Sequence, residues 1–67
     1  MPLVQVTLAA GRSAEQVRAL LAGITEAVVA AVDVPPENVR VVVYEVPKTH
    51  WAAGNVTLQE RANGVES

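Results

Sequence analysis

The proline directly behind the initiator methionine, Met1-Pro2, is where chemistry would start in this chain. A small second residue normally lets the methionine be trimmed, and a chain beginning at Pro2 carries a secondary amine instead of an amide. An α-amino group titrates at about 7.7–8.0 when unperturbed, close to the working range of a general base. The cations available to such an amine are few: Arg12, Arg18, Arg40, Lys48 and Arg61, against seven acids. Guanidinium groups hold carboxylates through two parallel hydrogen bonds, and two of them near an amine disfavour its protonated form. Taken singly, Arg12 or Arg40 would be read as a surface ion pair; both converging on a terminal amine would make an anion site. Trp51 is expected to pack in a core or interface and also to wall the amine with apolar surface. Tyr44 reads as a packing residue, His50 as a loop histidine with no assigned role, and Arg18 as solvated on a helix face. No Ser/His/Asp set, phosphate-binding loop or acid pair is present.

These groups need elements to hold them. Leu3 to Leu8 alternates, with Val4, Val6 and Leu8 on one face and Leu3, Gln5 and Thr7 on the other, the period of a strand. That strand would pin Pro2, whereas most termini wander. Gly11 supplies the turn, and Ser13-Ala14-Glu15-Gln16 reads as a capping box. Val17, Leu20, Leu21, Ile24, Val28, Ala31 and Val32 then form one apolar helical stripe. Gly23 inside it costs about 1 kcal/mol against alanine, which suggests a close backbone approach. Asp33-Val34-Pro35-Pro36 ends the helix, since proline cannot continue it. Val39 to Val46 is a second strand whose β-branched run suggests burial on both faces.

Strand, helix and strand in this order predict a right-handed crossover and a parallel pair. Pro47 ends the second strand, and Gly54-Asn55 signals a small hairpin before a polar tail, expected to be mobile from about Arg61. Parallel pairing puts Arg40 on the same edge as Pro2. Arg12 lies on the order of 20 Å away at the other end of the first strand. An antiparallel neighbour would bring its own Arg12 back, so the site is expected to be composite between subunits.

Composition bounds the rest. Sixty-seven residues make one small α+β domain, 1–67, which buries little surface alone. With no cysteine and one histidine, neither a disulfide nor a metal staple is on offer. Yet 51% of the residues are apolar and 18% charged, more apolar surface than one such domain can hide. Oligomerisation is the remaining way to cover it. A net charge of −2 without a basic run argues against nucleic acid as partner. The stretch Val17 to Val32 is too short and too often charged to span a bilayer, and no secretory signal is visible at the start, so a cytoplasmic protein is expected.

Pro2, Gly11-Arg12-Ser13 opening the helix, Asp33-Val34-Pro35, Val39-Arg40-Val41 and Lys48-Thr49-His50-Trp51 together closely resemble the 4-oxalocrotonate tautomerase family, over residues 2 to about 56. The resemblance implies a β-α-β subunit with a two-stranded parallel sheet, one main helix and a small C-terminal hairpin. It implies assembly as a homohexamer, a trimer of dimers, with no metal or organic cofactor. Pro2 would be the general base of an isomerase, moving a proton in unsaturated 2-keto or 2-hydroxy acids of the kind met in aromatic compound catabolism. Arg40 would polarise the carbonyl or hydroxyl oxygen, and Arg12 would hold a distal carboxylate, with at least one arginine from a neighbour. Trp51 stands where the family commonly has a phenylalanine wall, and Ala9 and Ala53 replace larger apolar residues, so the pocket is reshaped. A lyase of the same superfamily, acting by hydration or decarboxylation, is the second reading; hydrating relatives carry an acidic residue near Ala53, and alanine there argues against that reaction. A non-catalytic oligomeric binding protein is the third.

Overall fold

The computed structural model describes residues 1–64, in the order β1 (Leu3–Ala9), α1 (Ala14–Val32), a 3-10 turn (Pro36–Asn38), β2 (Arg40–Val46), a second 3-10 turn (Lys48–His50), β3 (Ala52–Ala53), β4 (Val56–Thr57) and α2 (Leu58–Ala62). β1 and β2 pair in parallel as expected, with Leu3 opposite Arg40 and Ala9 opposite Val46. Backbone bonds extend the ladder at both ends: Arg40 N–H donates to the Pro2 carbonyl at 2.9 Å, and Ala10 N–H to the Val46 carbonyl at 2.8 Å.

The connections are made by the residues that local chemistry requires. Gly11 takes φ +126°, a value side chains rarely permit. The Ser13 hydroxyl accepts from Gln16 N–H at 3.1 Å while Gln16 Oε1 accepts from Ser13 N–H at 2.9 Å, satisfying two donors at the start of α1. Asp33 closes α1 in the left-handed region, donating its N–H to Val29, and the two prolines then force the chain to leave the helix.

α1 packs against β2, and the sheet is two-faced. Val4, Val6, Leu8, Val41 and Val43 are half-buried, whereas Leu3, Gln5, Thr7, Val42 and Tyr44 are exposed. Here an expectation is corrected: the β-branched run of β2 is covered on one face only, and Val42 stays 37% exposed. Gly23 is corrected as well, because nothing lies within 4 Å of where its Cβ would be.

The C-terminal part contains an element the sequence reading missed. The hairpin β3–β4 forms around Gly54 (φ 60°) and Asn55 (φ 66°), two left-handed residues as a type I′ turn needs. Residues 58–62, however, are helical, so Arg61 lies in α2 and not in a tail. The rest of the expected tail, residues 65–67, lies outside the described residues. Thr57 Oγ1 accepts from Glu60 N–H at 3.0 Å, and Thr57 N–H donates to Glu60 Oε1 at 2.8 Å. This second capping box was legible in the sequence as Thr57-Leu58-Gln59-Glu60.

The chain is drawn out. Its Cα radius of gyration is 15.4 Å, where a compact chain of this length would have about 11 Å. Its accessible surface is 4827 Å², where a folded monomer of this mass exposes about 4,000 Å². Val56, 8% exposed, is the only buried hydrophobic residue among the described ones. No helix of the described residues is long and apolar enough to cross a membrane.

Candidate active site

Pro2 and Arg40 meet because the sheet register brings them together. Pro2 precedes β1, Arg40 opens β2, and the 2.9 Å bond between their backbones makes them neighbours across the strand pair. Pro2 is half-buried. Met1 precedes it and is 81% exposed. The Arg40 guanidinium lies at this same end, where its Nη1 donates to the Glu37 carbonyl at 3.2 Å. The 3-10 turn Pro36–Asn38 therefore does two things: it returns the chain to the β1 edge, and it offers a carbonyl that holds the arginine head there.

Arg12 is held at the opposite end. Its Nη1 donates at 3.4 Å to the carbonyl of Ala9, the last residue of β1. Seven residues of strand separate the two ends, roughly 20 Å at the usual rise. The chain also departs toward Trp51 from that far end, since β2 runs parallel to β1 and finishes opposite Ala9. One chain thus brings Pro2 and Arg40 together, and does not bring Arg12 to them.

Trp51 follows the second 3-10 turn with extended backbone (φ −125°, ψ 116°) and is 36% exposed. Its carbonyl accepts from Leu58 N–H at 2.8 Å. Next to it, Thr49 Oγ1 and His50 Nδ1 are 2.9 Å apart. Tyr44 stands on the open face of the sheet, where Gln5 Nε2 donates to its Oη at 3.4 Å. Among the described residues, no three His, Asp or Glu side chains gather in a way that would hold a metal ion.

A parallel strand pair crossed by one helix, with a proline at the head of the first strand and an arginine at the head of the second, defines a class of small β-α-β subunits. Comparison with known proteins gives that class its family. A model of tautomerase enzymes matches residues 2–61. A probable tautomerase of Ralstonia nicotianae is 48% identical over 84% of this chain and 80% of its own. A 2-hydroxymuconate tautomerase of Comamonas testosteroni is 42% identical over 90% of this chain and 95% of its own. Among solved structures, a 4-oxalocrotonate tautomerase isozyme from Methylibium petroleiphilum superposes with a TM-score of 0.90, at 38% identity, over 96% of this chain and all of that one. A chain of the heterohexameric 4-oxalocrotonate tautomerase of Chloroflexus aurantiacus gives 0.85 at 42% identity, over 90% and 97%. The chain belongs to the 4-oxalocrotonate tautomerase family of the tautomerase superfamily, and is an isomerase with tautomerase activity.

Proposed function

We propose that this tautomerase acts without a cofactor on unsaturated 2-keto or 2-hydroxy acids, with Pro2, freed of Met1, as general base. The neutral amine takes a proton from one position of the substrate, leaving a dienolate whose charge rests on the 2-oxygen. It then returns that proton to another carbon, so that no atom is gained or lost. Arg40 faces the 2-oxygen and its neighbouring carboxylate, where positive charge counts most as the enolate develops. Arg12 holds a distal carboxylate and Trp51 walls the pocket, both reaching this Pro2 from neighbouring copies. The observation that supports the reading is the backbone bond from Arg40 to Pro2, which makes an arginine and the candidate base neighbours across the strand pair. The 2-hydroxymuconate tautomerase relative supports the substrate class.

Assembly is part of the same reading. The chain exposes about 800 Å² more than a compact monomer of its mass would, and its open sheet face presents Leu3 at 59% exposure beside Val42 and Tyr44. The heterohexameric relative supports six subunits; we assign a homohexamer, a trimer of dimers, in the cytoplasm. Ultraviolet monitoring of 2-hydroxydienoate ketonisation by purified protein tests the activity, and sedimentation at micromolar concentration tests the assembly. A folded, active monomer would remove the composite site. Alanine at position 53 leaves no carboxylate there to activate water, so acrylate hydration is not expected.

A further inference from the structure

We propose that Arg61 is a positioning residue for Trp51, acting through the backbone of β3. The inference rests on the reading that Trp51 walls the Pro2 pocket. β3 is two residues long and would be marginal alone. Two donors from the segment that follows hold its end and the residue before it: Leu58 N–H on the Trp51 carbonyl at 2.8 Å, and Arg61 Nη2 on the Ala53 carbonyl at 3.1 Å. The first is a backbone bond that any residue except proline would make at position 58. The second depends on the side chain, and it spans eight residues to tie the strand to α2. Arg61 reaches this carbonyl because the Thr57–Glu60 capping box fixes where α2 begins. Trp51, between the 3-10 turn Lys48–His50 and this tethered strand, keeps its direction only as long as β3 does. A guanidinium suits the task, since its fixed fork of donors loses little freedom per hydrogen bond formed.

The test uses the fact that Trp51 is the sole tryptophan, so intrinsic fluorescence reports on it without any added probe. Arg61→Ala removes the donor, and Arg61→Met removes it while keeping an apolar stem. Both side chains are at an exposed position, and each variant is sized before use. In both, acrylamide quenching of Trp51 is expected to rise about twofold and KM for a 2-hydroxydienoate about threefold, with kcat within about twofold, as for lost positioning of uniform binding. Arg61→Lys, which restores a donor on a flexible stem, should recover most of the quenching change. In a Trp51→Ala background, Arg61→Ala should leave KM unmoved, because the two act as a unit. Wild-type quenching in assembled Arg61→Ala and Arg61→Met overturns the proposal. Raised quenching with unchanged KM in both the Arg61 and Trp51 variants supports the tether and overturns the wall reading on which its catalytic consequence rests.

Discussion

Between residues 2 and 46 the placing of Pro2 beside Arg40 is a property of sheet register, whereas between 47 and 64 Trp51 is held by a short hairpin and a one-turn helix. In the first region seven paired positions fix the geometry, and sliding the strands by one residue would turn every apolar side chain to the wrong face. In the second, two paired positions and a few side-chain bonds do the work. On the proposed reading Pro2 and Arg40 are a base and its charge partner, which need angstrom-level placement, and register fixes the backbone of both. A pocket wall tolerates looser support and can differ between relatives without unfolding the sheet. The difference in support therefore predicts a difference in how mutations act: those near Pro2 should change chemistry, those near Trp51 should change binding and environment.

The largest expected effect comes from the first residue of the chain. Protein that retains Met1 has an amide at Pro2, with no basic lone pair, and should lose about 10²–10⁴-fold in kcat/KM, the usual worth of a general base. Mass spectrometry of active protein should show the mature Pro2 start. Full activity from homogeneous Met1-retaining protein would end the mechanism outright.

Next in size is the contrast between the arginines at the two ends of β1. Arg40→Ala should lower kcat by about 10²–10³-fold, because its contact strengthens as charge develops on oxygen. Arg12→Ala should instead raise KM for a dicarboxylate by about 10–100-fold with kcat little changed, as expected for a charge-assisted bond made equally in ground and transition states. Steady-state kinetics on mono- and dicarboxylate substrates separate the two. If both variants keep the wild-type kcat/KM on a dicarboxylate, neither side chain belongs to the site.

The two capping boxes give a smaller and purely structural contrast. Ser13→Ala weakens the start of α1, which covers the sheet, and should lower stability of the whole fold by about 1 kcal/mol. Thr57→Ala removes a similar bond from α2 and should act locally, raising Trp51 quenching with little change in Tm at matched protein concentration. Equal losses of Tm, with Trp51 unmoved in the second variant, would mean the two regions are not held separately.

What was legible in the sequence follows the same division. The period-two alternation, the Ser13–Gln16 box and the Asp33–Pro36 stop are local signals, and each appears in the structure where the residues put it. The juxtaposition of Pro2 and Arg40 followed from those signals plus the topology of a strand–helix–strand crossover. Gly23 and the Val41–Val43 run misled for a shared reason. Both suggest a close neighbour from residue type alone, and among the described residues neither has one. α2 was overlooked because its five residues follow a polar stretch without apolar periodicity, although Thr57 and Glu60 carried its start signal. The bond from Arg61 to Ala53 was illegible, since a side chain reaching a backbone carbonyl eight residues away leaves no pattern in a sequence.

The smallest expected effect is also the one that most sharpens the comparison. If Trp51 walls the Pro2 pocket, it excludes water, and exclusion of water and nearby arginines both favour the neutral amine. Trp51→Ala opens the wall and lets solvent screen the arginines, so the amine should become easier to protonate and its pKa should rise. A base with a raised pKa has a smaller neutral fraction at a given pH, and the acidic limb of the kcat/KM profile should move to higher pH. The move should be about half a pH unit, the spread that environment commonly imposes on α-amino groups. The same substitution removes an exposed aromatic face, so the variant must first be shown to keep its oligomeric state. If Trp51 only packs, assembly weakens and the limb stays where it is. A correctly assembled Trp51→Ala enzyme with an unmoved acidic limb would leave the tuning of Pro2 to the register-held arginine, and the second region of the chain with no part in the chemistry.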